Sequence, residues 1–171
     1  MAVTAVGFDI GQTLINYRIP LNWKALYPAA LQKVMSDCRV DELKDRLDSA
    51  IDILSKYNIR EHYREHEVSS DTIFKEIFDA WGQDYRKIAD AKDSFYSFFQ
   101  ADAKCFDDTL ITSDRLFAGN ISMGFLTDAA YGMDNKYLLK DISEIKTYFC
   151  AGFTSVDVGF RKPNTKGYKC Y

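Results

Sequence analysis

The sequence has few cysteines, no long apolar run and no cluster of basic residues. Its 171 residues include four cysteines, which are widely spaced and form no Cys-x-x-Cys pair. Free thiols are therefore favoured over disulfides or a zinc site. No stretch approaches the roughly 18 consecutive apolar residues of a membrane-spanning helix, and no basic region precedes the first apolar run as in a secretory signal. We expect a cytoplasmic protein that does not enter a membrane.

The charge balance excludes further classes of partner. The net charge is −3, and lysines and arginines are spread along the chain rather than grouped. This pattern lacks the basic patch with which proteins bind nucleic acid. Hydrophobic residues make up 47% of the chain and aromatic residues 15%. Such a composition can fill a sizeable core, so we expect a folded domain rather than a disordered chain.

The stretch around Asp9 is the most informative part of the sequence. An apolar run from Ala2 to Phe8 has the length of a buried strand and leads directly into Asp9. A turn containing Gly11 follows and closes with Thr13 and Leu14. Ligands usually bind at the carboxyl ends of strands in open α/β sheets, so Asp9 is a candidate nucleophile or metal ligand. The alternative is that Asp9 only caps the structure that follows.

The second half of the chain alternates between strand and helix patterns. An apolar run at 121–126 predicts a second strand, which ends at Thr127, and a third strand is predicted at 148–153. Helical patterns occupy 108–117 and 135–146. Strands separated by helices indicate parallel βαβ units. We therefore predict an α/β fold with a parallel, Rossmann-like sheet.

The region between the first two strands is helical in character. Four amphipathic segments follow one another there without a strand signal, which predicts a four-helix unit inserted after the first strand. Six of its aromatic residues are expected to pack in its interior. They are Phe74, Phe78, Trp81, Phe95, Phe98 and Phe99. Tyr17, Arg18 and Trp23 follow the Asp9 turn closely, so they are better placed to meet a ligand.

Three motifs together resemble the haloacid dehalogenase superfamily of hydrolases. The first motif of that family is Asp-x-Asp-x-Thr-Leu, which Asp9 to Leu14 match in part. Its second is an apolar strand ending in Ser or Thr, here Thr127, and its third is a Lys commonly followed by Pro, here Lys162. The resemblance implies an α/β core formed by residues 1–16 and 103–171. It also implies that residues 17–102 form a helical cap.

The resemblance also implies a chemistry and a set of roles. Asp9 would attack phosphorus and form an aspartyl phosphate, Thr127 would hydrogen-bond a phosphoryl oxygen, and Lys162 would balance the negative charge. Mg²⁺ would bind the Asp9 carboxylate and the main-chain carbonyl of Gly11. Arg18 could pair with an anionic leaving group. The implied partner is a small phosphorylated metabolite.

Position 11 departs from the family pattern. The phosphatases of the family carry a second Asp there as general acid and base, and Gly11 has no side chain to transfer a proton. Such proton transfer is typically worth about 10²–10⁴-fold in rate. Two other functions therefore stay open. One is a 2-haloacid dehalogenase, although residues 10–12 lack the aromatic residue usual in that branch. The other is a non-catalytic module that binds a phosphate ligand or a protein.

The family's fourth motif is an acidic pair that completes the Mg²⁺ site, and it would follow Lys162 after a further helix. The sequence ends at Tyr171, so we expect a C-terminally shortened family member with impaired activity. Its first strand would then lie at an open edge of the sheet. Val3, Val6 and Phe8 would be exposed there and could support self-association.

Overall fold

The computed structural model describes residues 2–17 and 23–170, with the backbone alone for Cys170. A parallel sheet forms from strands β1 (Ala5–Phe8), β4 (Ser122–Thr127) and β5 (Phe149–Thr154), in the spatial order β1-β4-β5. The predicted α/β fold with a parallel sheet is thereby confirmed. Because the three strands run in the same direction, the residues that follow them meet at one edge of the sheet.

Strand β1 lies at one end of this sheet. It pairs in register with β4, so that Phe8 is opposite Phe125. Val3 is 66% exposed, whereas Val6 and Phe8 are partly buried. The strand begins at Ala5 rather than at Ala2 as the apolar run predicts. Self-association through this edge stays a prediction.

Four helices follow, as predicted, and they pack around one hydrophobic cluster. They are α1 (Tyr27–Cys38), α2 (Lys44–Lys56), α3 (Ser70–Trp81) and α4 (Ile88–Gln100). Pro28 lies in the first turn of α1, where its missing N–H costs nothing. Ser69 caps α3 by accepting a hydrogen bond from the Thr72 amide, and Gly82 ends that helix with φ of +64°. The predicted interior aromatic residues are buried, except that Phe98 is only partly buried.

A short antiparallel ribbon joins the two ends of this helical region. It consists of β2 (Ile15–Tyr17) and β3 (Ala103–Cys105), in which Ile15 pairs with Cys105. Strands of three residues are too short to give a periodic signal, which is why the sequence did not predict them. The predicted cap boundaries, residues 17 and 102, fall at this ribbon. The division into core and cap stays a prediction.

Three more helices complete the described structure, and a second hydrophobic cluster lies beside the sheet. The helices are α5 (Asp107–Ala118), α6 (Asn135–Asp141) and α7 (Ser155–Val158). The predicted helix over 135–146 is too long, because α6 ends at Asp141. The turn that follows places both Ile142 and Ile145 in the second cluster, where they are fully buried. Within the described ranges, every helix falls short of the length and apolar character needed to cross a membrane.

Candidate active site

An ion pair joins Asp9 to Lys162 where the sheet ends. The Lys162 Nζ donates a hydrogen bond to Asp9 Oδ1 at 2.8 Å and a second one to the Leu126 carbonyl at 3.2 Å. The Lys162 main-chain N–H donates to Asp128 Oδ1 at 3.0 Å, which fixes the backbone of that residue. Two predicted site residues that are 153 positions apart in sequence are therefore in direct contact. Their side chains are 43% and 25% exposed, so a ligand can approach them.

Thr127 occupies the end of the neighbouring strand. It is 6% exposed and lies opposite Thr154 in the β4–β5 register. Together with Gly11 it lines a cavity of about 290 Å³ between the end of the sheet and the helical region. Asp9 and Lys162 line a different cavity, of about 530 Å³, along the sheet residues of β1 and β4. The two cavities adjoin at the end of the sheet, because Asp9 and Gly11 belong to one turn and Lys162 also hydrogen-bonds the carbonyl of Leu126, the residue before Thr127. We call the 290 Å³ space the helical-side cavity.

The helical-side cavity has a largely apolar and aromatic wall. Its apolar lining residues are Ile10, Trp23, Tyr57, Ile59, Tyr131, Met133 and Leu138. Trp23 stacks on Phe99 with ring centroids 3.9 Å apart, which holds its indole in place. Tyr17 and Trp23, which were predicted to meet a ligand, both line this cavity. Arg18, the third predicted residue of that group, lies outside the described residues.

A hydrogen-bonded group next to Gly11 was not predicted from the sequence. The Tyr17 hydroxyl and the Gln100 side-chain amide each donate to Asp141 Oδ2, both at 2.7 Å. Burial raises the pKa of the Asp141 carboxyl. Burial, and then the nearby Asp141, raises the pKa of Tyr17 well above its usual range, so its hydroxyl stays protonated and donates. A Cβ atom built on Gly11 would lie 3.6 Å from the Tyr17 ring, so an aromatic ring lies beside position 11 after all.

Four cationic side chains also line the helical-side cavity, namely Lys24, Arg60, Arg64 and Arg161. The Arg161 guanidinium hydrogen-bonds the Glu67 carboxylate and donates to the Ala129 carbonyl at 2.8 Å. Glu67 is also the acceptor for Ser155, and its side chain is only 3% exposed. One buried carboxylate therefore fixes the loop after β4 to the helical region.

A magnesium ion would find two ligands here that the resemblance implies. These are the Asp9 carboxylate and the Gly11 carbonyl, and the described residues contain no group of three or more acidic, His or Cys side chains that could hold a metal. Mg²⁺ usually keeps several waters and binds one or two carboxylates together with substrate phosphates. Lys162 hydrogen-bonds Asp9 through Oδ1. Two protein oxygens would leave most coordination positions of such an ion to water and to a phosphorylated ligand.

Comparison with known proteins identifies the fold. No family profile and no curated protein matches the sequence, whereas many solved structures match the fold. A 2-haloacid dehalogenase from Pseudomonas syringae pv. Tomato DC3000 matches with a TM-score of 0.65 at 19% identity, over 98% of this chain and 70% of that one. The chain therefore has the fold of the haloacid dehalogenase superfamily, which confirms the resemblance at the level of the fold.

Two further structures show the range of proteins that share this fold. The Bacillus subtilis protein YfnB, described as a HAD-hydrolase bound to magnesium, matches with a TM-score of 0.51 at 16% identity, over 99% of this chain and 71% of its own. A protein from Haemophilus somnus 129PT, described as a predicted phosphoglycolate phosphatase, matches with a TM-score of 0.51 at 12% identity. The match covers 98% of this chain and 69% of that one. Dehalogenases and phosphatases are thus both among the structures with this fold.

Proposed function

We propose that this protein is a hydrolase in which Asp9 is a covalent nucleophile and a small phosphate ester is the substrate. The observation that carries the proposal is the 2.8 Å contact between Asp9 and Lys162 at the carboxyl edge of the sheet. A phosphoryl group needs a nucleophile beside positive charge, because its own negative charge repels an approaching carboxylate. In this proposal residues 17–102 act as a cap over the helical-side cavity.

The chemistry follows from the groups at the site. A carboxylate oxygen of Asp9 forms a bond to phosphorus while the ester P–O bond breaks, and the leaving oxygen takes the electron pair. The Lys162 ammonium balances the charge of the nucleophile and the phosphoryl group, and the Thr127 hydroxyl donates to a phosphoryl oxygen. Water then attacks phosphorus, which restores Asp9 and releases phosphate. Bound Mg²⁺, held by Asp9 and the Gly11 carbonyl, would supply further positive charge to the phosphoryl oxygens.

Because Gly11 has no side chain, we predict that the rate of hydrolysis depends strongly on how readily the leaving group departs. Without a proton donor at that position, the leaving oxygen has to depart as an anion or take its proton from water. Aryl phosphates, whose phenolate leaves readily, should therefore be better substrates than alkyl phosphates. General acid catalysis is typically worth about 10²–10⁴-fold, which sets the size of the expected difference.

A carbon–halide substrate is the second candidate. A departing halide needs no proton, so a site without an acid at position 11 is suited to it. The Tyr17 ring beside Gly11 favours this candidate as well, because it supplies the aromatic side chain that residues 10–12 lack. In that reaction Asp9 would attack carbon instead of phosphorus, and no magnesium would be required.

The test compares wild type with Asp9→Asn, and uses Asp52→Asn on the exposed side of α2 as the matched control. With 4-nitrophenyl phosphate and Mg²⁺, Asp9→Asn should lower kcat/KM by roughly 10³-fold or more, and Asp52→Asn should leave it unchanged. Equal rates for wild type and Asp9→Asn would refute the catalytic role. Release of chloride from 2-chloropropionate in the presence of EDTA would favour the dehalogenase. Binding of inorganic phosphate without turnover, abolished by Lys162→Ala, would favour a binding module.

A further inference from the structure

Four cationic side chains and the carboxylates of Asp128 and Asp141 line the helical-side cavity. Lys24 is neutralised by Glu61, whose carboxylate lies 2.8 Å from its Nζ. Arg161 is neutralised by Glu67, which it hydrogen-bonds, and by Asp128, whose Oδ2 lies 3.8 Å from its Nη2. Arg64 Nη2 is 3.5 Å from the same Glu67, so this single carboxylate is shared between two guanidinium groups. Lys24, Arg64 and Arg161 are therefore each paired with a carboxylate, whereas no carboxylate of the described residues pairs with the fourth lining cation, Arg60.

Arg64 is held in a fixed position that suits binding of an anion. Its Nη1 donates to the Tyr57 carbonyl at 2.7 Å, and its guanidinium lies 6.0 Å from the centre of the Tyr57 ring. Its side chain is 18% exposed. The Arg64 Nε is buried and has no hydrogen-bond partner in the described part of the chain. A guanidinium with an unpaired N–H can form a further charge-assisted hydrogen bond to a planar anion such as a carboxylate.

Arg60 adds a second cation from the same loop. Its main-chain N–H donates to Asn58 Oδ1 at 3.0 Å, which fixes the turn that carries it. Its side chain is exposed, lines the cavity, and forms no ion pair with a carboxylate of the described residues. Arg60 and Arg64 therefore provide two positive charges on the loop between α2 and α3. Thr127, at the end of β4, lines the same cavity.

We propose that the substrate carries a second anionic group, and that Arg60 and Arg64 bind it. This inference rests on the proposed phosphate-ester hydrolysis, which places the phosphoryl group between Asp9 and Thr127, where the two cavities adjoin. The rest of the substrate then extends along the apolar wall of the helical-side cavity, towards the loop between α2 and α3. The cavity volume of about 290 Å³ limits the substrate to a small metabolite. The substrate class is a small organic phosphate with an apolar middle and a carboxylate, or a second phosphate, at its far end.

Two aryl phosphates of equal size test this inference. The first is 4-carboxyphenyl phosphate, and the second is 4-carbamoylphenyl phosphate, in which a neutral amide replaces the carboxylate. Wild type should prefer the carboxylate by about tenfold to a hundredfold in kcat/KM, as charge-assisted hydrogen bonds would give. Arg60→Gln and Arg64→Gln should each bring this ratio towards one. Arg86→Gln is the control, because Arg86 is exposed and does not line the cavity.

The inference is overturned if wild type turns over both esters equally, or if the ratio survives in both cavity variants. Arg64→Lys keeps a positive charge without the planar fork, so it should retain part of the preference, which guards against misfolding of Arg64→Gln. Affinities of 4-carboxybenzylphosphonate and 4-carbamoylbenzylphosphonate, measured by calorimetry, need no turnover. Tighter binding of the carboxylate probe without hydrolysis of either ester would support the anion site while refuting the hydrolase. A bisphosphonate probe that binds more tightly still would identify phosphate as the second anion.

Discussion

Gly132 should be among the positions least tolerant of a side chain. It lies in the loop after β4 with φ of +61°, in the left-handed region that favours glycine. A Cβ atom there would be 1.9 Å from the Val68 carbonyl oxygen and 2.7 Å from the Ser70 nitrogen. Both contacts are with backbone at the start of α3, which cannot move aside as a side chain can. Gly132→Ala should therefore separate the loop after β4 from the helical region.

Gly82 allows the loss of stability in Gly132→Ala to be divided into a backbone part and a steric part. Gly82 has nearly the same φ, +64°, but a Cβ atom built on it meets nothing within 4 Å. Gly82→Ala should therefore cost only the left-handed penalty, about 1–2 kcal/mol. Gly132→Ala should cost this amount plus about 1–3 kcal/mol for the steric overlap. The difference between the two variants isolates the close contact.

Urea unfolding of both variants and wild type measures this difference. The fluorescence of Trp23 and Trp81 reports on the helical cluster, since both residues belong to it, and far-UV circular dichroism reports on the whole chain. With a slope of about 2 kcal/mol per M of urea, Gly132→Ala should unfold at about 0.5–1.5 M less urea than Gly82→Ala. Equal midpoints for the two variants would refute the close approach of the loop to α3.

Two further perturbations test the packing around the site. Burial raises the pKa of Asp141, so the stability linked to its protonated form is present at low pH and is lost as pH rises through the raised pKa. The free energy of unfolding of Asp141→Asn should therefore depend less on pH in the acidic range than that of wild type. Urea titrations at several pH values measure this dependence, and an unchanged dependence would contradict the raised pKa. Gly152→Ala would place a Cβ atom 2.1 Å from the Phe125 ring and should lower the free energy of unfolding by about 1–3 kcal/mol, as thermal or urea unfolding would show. A Cβ atom built on Gly7 meets nothing within 4 Å, so Gly7→Ala should be nearly neutral. Equal effects of the two variants would contradict the close packing of Gly152 against Phe125.

The sequence predicted the parts of the fold that depend on local pattern. Apolar runs ending in a polar residue located β1 and β4, and helical periodicity located α1 to α4. The contact between Asp9 and Lys162 was predicted only through the resemblance, because 153 residues separate them and no local rule brings them together. The sequence also did not predict which cavity each site residue lines, because this depends on side-chain directions that periodicity does not specify. Gly11 and Thr127 line one cavity, and Asp9 and Lys162 line the other.

The group of Tyr17, Gln100 and Asp141 had no sequence signal at all. Its members lie on β2, at the end of α4 and at the end of α6, and the Tyr17–Asp141 hydrogen bond spans 124 positions. A polar residue at the end of an amphipathic helix is read as a surface position, since most such residues are exposed. The antiparallel ribbon holds Tyr17 in β2, from which its hydroxyl reaches Asp141 of α6.

Position 11 shows why a departure from a motif has to be interpreted in three dimensions. The sequence shows only that a side chain is absent there. In the structure the Tyr17 ring packs beside that position, and Asp141 fixes the hydroxyl of the same ring. A Cβ atom at residue 11 would already be in van der Waals contact with this ring, at 3.6 Å, so a longer side chain there would have to point away from it. The glycine and the tyrosine are therefore coupled, because the small residue leaves room for an aromatic ring that comes from the next strand.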